Sequence, residues 1–313
     1  MAEANPYQEG RSIDYTPVAA VGAGEVVQLA DGRAAVATTA IAAGVKGSVA
    51  VRGVWKIAKT DLQFMFPGER IYWDHSANAA TVIPSVSDED FFVGTCLEAA
   101  AGGDATVTVV LNEDRPGIID QRTSGGASLP IGALARAANL GGGMRFEIAA
   151  TSEAEKVDWI SDQSIGIDSD WTMFADVNND AVAGADVDFN IGLGDVTAAT
   201  DFESVGTFVA VHLDGGSLNI LAHSDDTNTD AALTDTTFDY VVATKFHIAI
   251  VGTNPLLCEI YINGILNGGA TDFVLDSAES AARLKAIVHA EKTTGTHVGT
   301  YTVSNLKVVT ADL

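Results

Sequence analysis

The chain has 313 residues, enough for two domains, and 47% of them are apolar, enough to build a core in each. Its formal net charge of −25 repels phosphates and anionic lipid, which argues against nucleic acid and membrane surfaces as partners. The charge is uneven: residues 1–120 carry −8 and residues 121–313 carry −17, with no Lys or Arg between Lys156 and Lys245. Cys96 and Cys258 stand at neither metal-ligand nor redox spacing and read as small buried apolar residues. The opening MAEANPYQEGRSIDY lacks the apolar run of a secretory signal. No segment reaches the roughly 18 apolar residues of a membrane span. The expectation is a soluble protein made in a cytoplasm.

Ala, Gly, Val and Thr dominate and Pro is sparse, a composition that favours strands and turns over helices. Taken in order, Glu25 to Leu29 predicts a strand ended by Ala30-Asp31-Gly32. Ala34 to Thr39 predicts a second. Ser48 to Lys59 reads as one longer alternating strand in which Gly53 marks a bulge. Arg70 to Asp74 follows Pro67-Gly68, and Phe91 to Ala99 and Ala105 to Leu111 complete the set. Strands at this spacing predict a small barrel or sandwich.

Asn112 to Gly143 breaks the pattern with Arg115-Pro116-Gly117, Ser124-Gly125-Gly126 and three glycines at 141–143. It reads as a linker in which Leu134 to Leu140 could form a helical turn. From Met144 strand signals return. Thr207 to His223 predicts a hairpin with Asp214-Gly215-Gly216 at its tip. Cys258 to Leu266 predicts another, turned by Asn263-Gly264 in type I′ geometry. Phe246 to Val251 and Gly299 to Val309 add strands, and the whole suggests a two-sheet antiparallel sandwich.

Motifs that carry chemistry are scarce. The chain has no phosphate loop, no His-Glu-x-x-His helix and no nucleophile elbow. Counting from a tight turn at 214–216, His212 faces residue 217 or 219 and His223 faces 206 or 208, which keeps the two apart and argues against a zinc site. Asp186 and Asp188 are spaced to share a strand face, as paired glycosidase acids do, but on so acidic a chain they read as a solvated edge. Asp176, Asn178 and Asp180 alternate like the ligands of a calcium loop. The sixth position is Ala181 and the twelfth Val187, which breaks that pattern and leaves a weak calcium candidate beside a plain polar connection. Trp159 and Trp171 could form a sugar platform or core; core is favoured.

Four segments in order carry a resemblance: Ile13-Asp14-Tyr15-Thr16-Pro17 with Val26-Val27; Ile41 to Gly44 through Gly47–Val51 to Gly53-Val54; Pro67-Gly68-Glu69 with Ile71–Asp74; and Val93-Gly94 through Glu98 to Asp104–Val109. Over Ile13 to Leu111 the chain resembles the cement (decoration) proteins of tailed-phage capsids. The resemblance implies a small β domain on the outside of an assembled head, commonly as trimers bridging capsomers, with an extended N-terminal arm. From Met144, Phe208–His212 with Asp214-Gly215 and Glu259–Gly264 resemble the concanavalin-like jelly rolls appended to phage structural proteins. No lectin or glycosidase residues carry over.

The expected organisation is all-β: an arm (1–16), a capsid-binding domain (17–113), a linker (114–143) and a lectin-like sandwich (144–313). The expected function is non-enzymatic stabilisation of the head, without cofactor. The major capsid protein and a second and third copy of the chain are the partners, and the virion's outer surface is the location. Tyr7, Arg11, Asp14 and Tyr15 are the expected capsid contacts, as separated anchors on the arm. The alternative is an adhesin that binds host-surface glycans through the C-terminal sandwich.

Overall fold

The computed structural model describes residues 10–84, 89–121, 126–127, 136–139, 143–167, 169–181, 184–195, 202–226, 231–253, 257–267, 273–275 and 283–310. The chain forms two compact units, Met1–Arg115 and Pro116–Leu313. Regular structure is almost entirely β. Among the described residues helix is limited to one 3₁₀ turn, η1, at Phe202–Ser204.

In the first unit β1 (Ser12–Tyr15), β2 (Val26–Gln28), β3 (Ala34–Ala37) and β4 (Gly47–Ala50) form an antiparallel sheet in the order β1-β4-β3-β2. The strands β5 (Val54–Ala58), β6 (Arg70–Asp74), β7 (Ala79–Thr81), β8 (Phe91–Glu98) and β9 (Thr106–Leu111) form a second, in the order β5-β9-β8-β6-β7. A parallel bridge between Lys59 and Ala80 draws the end of β5 towards β7, so this sheet curls towards a barrel. β3 is buried along its length because it is sandwiched. Ala34 and Val36 join the core of the five-stranded sheet, whereas Ala35 and Ala37 join a smaller cluster with Val21, Leu29, Ile41 and Val49. Period-two alternation explains the split.

Two features of this unit correct the sequence reading. The run from Ser48 to Lys59 is two strands in different sheets. Gly53, at φ 112°, ends one and redirects the chain into the next instead of bulging a single strand. The segment read as a free arm contributes β1, whose Ser12 to Tyr15 pair with Ala50 to Gly47.

The second unit begins inside the segment read as a linker. Its early strands are β10 (Ile119–Asp120), β11 (Gly126–Ala127), β12 (Arg136–Asn139), β13 (Gly143–Ile148), β14 (Glu155–Ile160) and β15 (Ile165–Gly166). The longer β16 (Trp171–Ala181), β17 (Val187–Gly194), β18 (Phe208–Asp214), β19 (Asn219–Asp225) and β20 (Ala231–Asp239) follow. Then come β21 (Phe246–Thr253), β22 (Leu257–Ile262), β23 (Ile265–Leu266), β24 (Phe273–Val274), β25 (Arg283–Lys292) and β26 (Gly299–Thr310). Strands β10, β11 and β12 all pair within this unit, and β12 stands where a helical turn was expected. Three glycine-rich runs gave the segment its linker signature, but pairing with the long strands β26 and β14 supplies order that local sequence does not.

A nine-stranded sheet runs β12-β13-β26-β16-β21-β22-β23, with β10 on β26 and β24 on β22. An eight-stranded sheet runs β11-β14-β25-β17-β18-β19-β20, with β15 on β25. Their inner faces share one core. Phe189 of β17 stacks on Tyr301 of β26 at 4.4 Å and meets Phe146 of β13 edge-on at 6.0 Å. Trp159 and Trp171 are both buried in that core, as favoured from sequence. The β22–β23 hairpin turns at Asn263-Gly264 with φ 53° and 77°, as a type I′ turn requires.

Candidate functional site

The expected capsid contacts divide by the pleat of β1. Tyr7 lies outside the described residues. Arg11 and Asp14 are exposed, and Asp14 forms an ion pair with Lys46. Tyr15 is half-buried and packs with Ile13 against the small cluster of the four-stranded sheet, so it anchors its own domain as well as any partner. β1 is an edge strand, paired only with β4 among the described residues, and an edge strand offers backbone groups to a partner. Elsewhere in the unit a groove of about 510 Å³ is lined by Glu25, Val26, Trp55, Lys56, Ile57 and Trp73, among others. Its walls are largely apolar with one charge of each sign.

In the second unit the outer face of the eight-stranded sheet carries the densest polar chemistry. Register places Asp158, His289, Asn190, His212 and Leu221 side by side across β14, β25, β17, β18 and β19. His223 lies one step along, opposite Ala210. His289 bonds to Asp158 through Nδ1 and to Glu291 Oε2 through Nε2 at 3.1 Å. Both acceptors are carboxylates, so both ring nitrogens carry protons and the ring is an imidazolium. Burial lowers its pKa, but the bonds to Asp158 and Glu291 outweigh burial and raise it to about 9. Lys156 closes the network on Glu291 at 2.8 Å, giving two cations and two carboxylates. The same bonds hold Glu291 below its ordinary range despite its burial.

His212 and His223 behave oppositely. His212 Nδ1 and His223 Nε2 both donate to Asn190 Oδ1, at 2.9 and 3.1 Å, and their ring centres are 5.7 Å apart. Burial pushes the pKa of His212 down to about 4, against the pull of Asp214 and Glu291. Burial, and then the neighbouring His212, pushes that of His223 down to about 3. Both rings are neutral at pH 7. Over them lies Phe202, ahead of β18, which approaches His223 at 5.8 Å, His289 at 6.2 Å and Phe208 at 5.0 Å.

This juxtaposition corrects the hairpin register expected from sequence. His212 faces Leu221 and His223 faces Ala210 because the β18–β19 turn is wider than a two-residue tip, with Leu213 opposite Ile220. One signal was present. In Val-His-Leu, Ala-His-Ser and Val-His-Ala-Glu the histidine stands at the outward position of a largely apolar strand.

The calcium candidates do not form a loop. Asp176, Asn178 and Asp180 alternate along the strand β16. Asp176 is buried between His247 Nδ1, at 2.7 Å, and the Asn305 amide. Asn178 bonds to Asp180, which also accepts from Thr302 at 3.2 Å. The carboxylate oxygens of Asp176 and Asp180 serve protein donors, whereas Asn178 Oδ1 is buried without a hydrogen-bond partner. Among the described residues no group of three or more His, Cys, Asp or Glu side chains is arranged to hold a metal ion. Asp186 lies in the turn before β17 and bonds to His297, whereas Asp188 lies in the strand, 3.6 Å from His212 Nε2, so the two acids do not form the expected strand pair.

Residues 7–111 match the family model described as phage cement protein. Over those residues the first unit is similar to the phage cement proteins. The match spans about a third of the chain and the whole sheet system of the first unit. A search of curated proteins by sequence finds no match. Among solved structures, the chain is similar to carbohydrate binding module CBM66 from Bacillus subtilis, at 12% identity over 56% of this chain and 92% of that one, with a TM-score of 0.37. It is also similar to the potassium-bound carbohydrate recognition domain of Emp46p, at 11% identity over 60% and 89%, with a TM-score of 0.43. Alginate lyase A1-II′ is a third, at 12% identity over 55% and 81%, with a TM-score of 0.40. At these scores the likenesses are distant. The sandwich assignment of the second unit rests on its own strand pairing.

Proposed function

We propose that this chain is a decoration protein that binds the outer surface of an assembled tailed-phage head and stabilises it. The match of residues 7–111 to the phage cement family carries this reading. The cement unit docks, with Tyr7 and Arg11 as the reaching contacts and the β1 edge, including Asp14 and Tyr15, as the platform behind them. Three copies associate around a local threefold position. The second unit, with its net charge of −17 over residues 121–313, faces the medium, where an acidic surface keeps a crowded shell soluble. Stabilisation follows from mass action, because a ligand that binds only the assembled shell shifts the equilibrium towards it. The chain acts by binding, not catalysis.

Two measurements test this. Mass spectrometry of purified virions should find the chain in numbers comparable to the major capsid protein; absence from virions sinks the proposal. Co-sedimentation with undecorated heads should be strong for the full chain and weak for a chain lacking residues 1–10, which keeps β1 intact. Equal binding by the truncated chain removes Tyr7 from the contact and leaves the β1 edge to be tested.

A further inference from the structure

The cement reading makes no use of the buried histidines of the second unit. Three lie on one sheet face, and they are not equivalent. His289 is charged and fully matched by Asp158 and Glu291. His212 and His223 are neutral and share a single acceptor, Asn190 Oδ1. Asn190 is fully buried and its Nδ2 has no hydrogen-bond partner, so nothing else holds the amide in place.

The surroundings decide what a proton would do. His212 Nε2 is 3.6 Å from Asp188 Oδ1, with Asp214 and Glu291 contributing at longer range. His223 meets His212, Asn190 and the rings of Phe202 and Phe208, the last at 4.7 Å. Among the described residues no carboxylate is among these contacts. Of the charged groups on the packed strands, Asp158, Lys156, His289 and Glu291 are matched within their own network, and Asp225 stands two residues from His223 on the same face of β19. A proton on His212 goes to Nε2, which already faces Asp188, while Nδ1 keeps its bond to Asn190. A proton on His223 has no carboxylate in contact among the described residues, and a second charge would stand 5.7 Å from the first.

The same rings support the chain segment above them. Phe202, Val205 and Phe208 form a small apolar cluster with Ala210 and Ile287, separate from the main core. The segment is pinned at its base by the Asp195 N–H to the Thr207 carbonyl, at 3.0 Å, and is turned by Val205 N–H to Phe202 O at 3.1 Å. Phe202, Val205 and Phe208 thus hold the segment by apolar contact over the neutral His212 and His223 rings, beside the charged and matched His289.

We propose that His212 and His223 form an acid-sensitive latch: neutral, they hold the segment Phe202–Thr207 on the sheet, and protonation lifts it to uncover the polar row of Asn190, His212 and His289. Burying a charge beside Phe202 without a counter-ion is costly, and lifting the segment admits water to solvate it. The sandwich core on the opposite face of the sheet is not touched, so opening is local.

The test is hydrogen exchange of the full chain at pH 7 and at pH 4, corrected for the intrinsic rate. Protection of 202–208 should fall at least tenfold at pH 4 while β16 and β21 keep theirs. In the His212→Gln/His223→Gln chain, whose amides can still donate to Asn190 but cannot titrate, protection of 202–208 should be the same at both pH values. Unchanged protection in the natural chain overturns the latch, as does an equal loss in the folded double variant. Should the double variant not fold, ring NMR of the natural chain decides. His212 and His223 should titrate together with the exchange change, and rings that stay neutral while the segment opens overturn the proposal.

Discussion

The side-chain amide of Asn112 pairs with the backbone of Ala34 as a neighbouring strand would. Its Oδ1 accepts the Ala34 N–H at 2.9 Å and its Nδ2 donates to the Ala34 carbonyl at 2.8 Å, with a further bond to the Val51 carbonyl at 2.9 Å. Asn112 follows β9 of the five-stranded sheet and Ala34 opens β3 of the four-stranded one, so one side chain stitches the two sheets of the first unit. Its φ of 57° is a conformation that Asn tolerates better than most residues.

Replacing it should therefore loosen that junction. Asn112→Ala strands the Ala34 backbone groups and adds left-handed strain, together costing about 3 kcal/mol. Chemical denaturation with exchange read at β3 and β9 checks this. A loss below about 0.5 kcal/mol would show that water replaces the amide without penalty.

Lys292 is the second pivot. Fully buried, it donates to the carbonyls of Ala149 at 2.5 Å and Thr151 at 2.8 Å and lies 3.6 Å from the equally buried Glu155. Lys292→Met leaves the Glu155 carboxylate unmatched and should cost about 3–5 kcal/mol. Lys292→Met with Glu155→Leu removes both charges and should recover part of that loss in thermal unfolding. A double variant no better than the single one would place the cost in the carbonyl bonds instead.

Gly252 faces Trp171 across β21 and β16, and a Cβ there would run into the indole ring. Gly252→Ala should cost about 1–3 kcal/mol by overpacking. Trp171→Phe in the same chain should return part of it, because the smaller ring vacates the space. Additive losses in denaturation would show that the two positions do not press on each other.

The charged His289 makes stability depend on pH in a stated direction. Its pKa is raised in the fold to about 9 from an ordinary 6.5. The stabilisation is thus fully present below about pH 6.5 and lost as pH rises through about 9, on the order of 3 kcal/mol in all. His212 and His223 have lowered values, about 4 and about 3, so their penalty is absent above about 6.5 and grows as pH falls. Denaturation between pH 6 and pH 9.5 should show falling stability, and His289→Gln should flatten that slope. An unchanged slope would assign it to other groups.

How much of this was legible beforehand follows from which signals are local. The β class, the Asn263-Gly264 turn and the alternating strands it joins over Cys258 to Leu266 are properties of neighbouring residues, and the pleat converts them directly into structure. The spaced strand and turn segments of 13–111 were likewise readable in order. What only the tertiary structure decided are relations between distant strands. Gly53 could be read as a bulge or a break until β4 and β5 were seen in separate sheets. The linker's strands exist because β14 and β26 are there to receive them. The row from Asp158 through His289 and Asn190 to His212 spans 55 positions of sequence between its first and last member and more than twice that to β25. Its alignment depends on the length of every intervening loop. Side-chain period is written in each strand, but register is set by loops and pairing, and a shift of one residue would have turned every histidine of that row into the core.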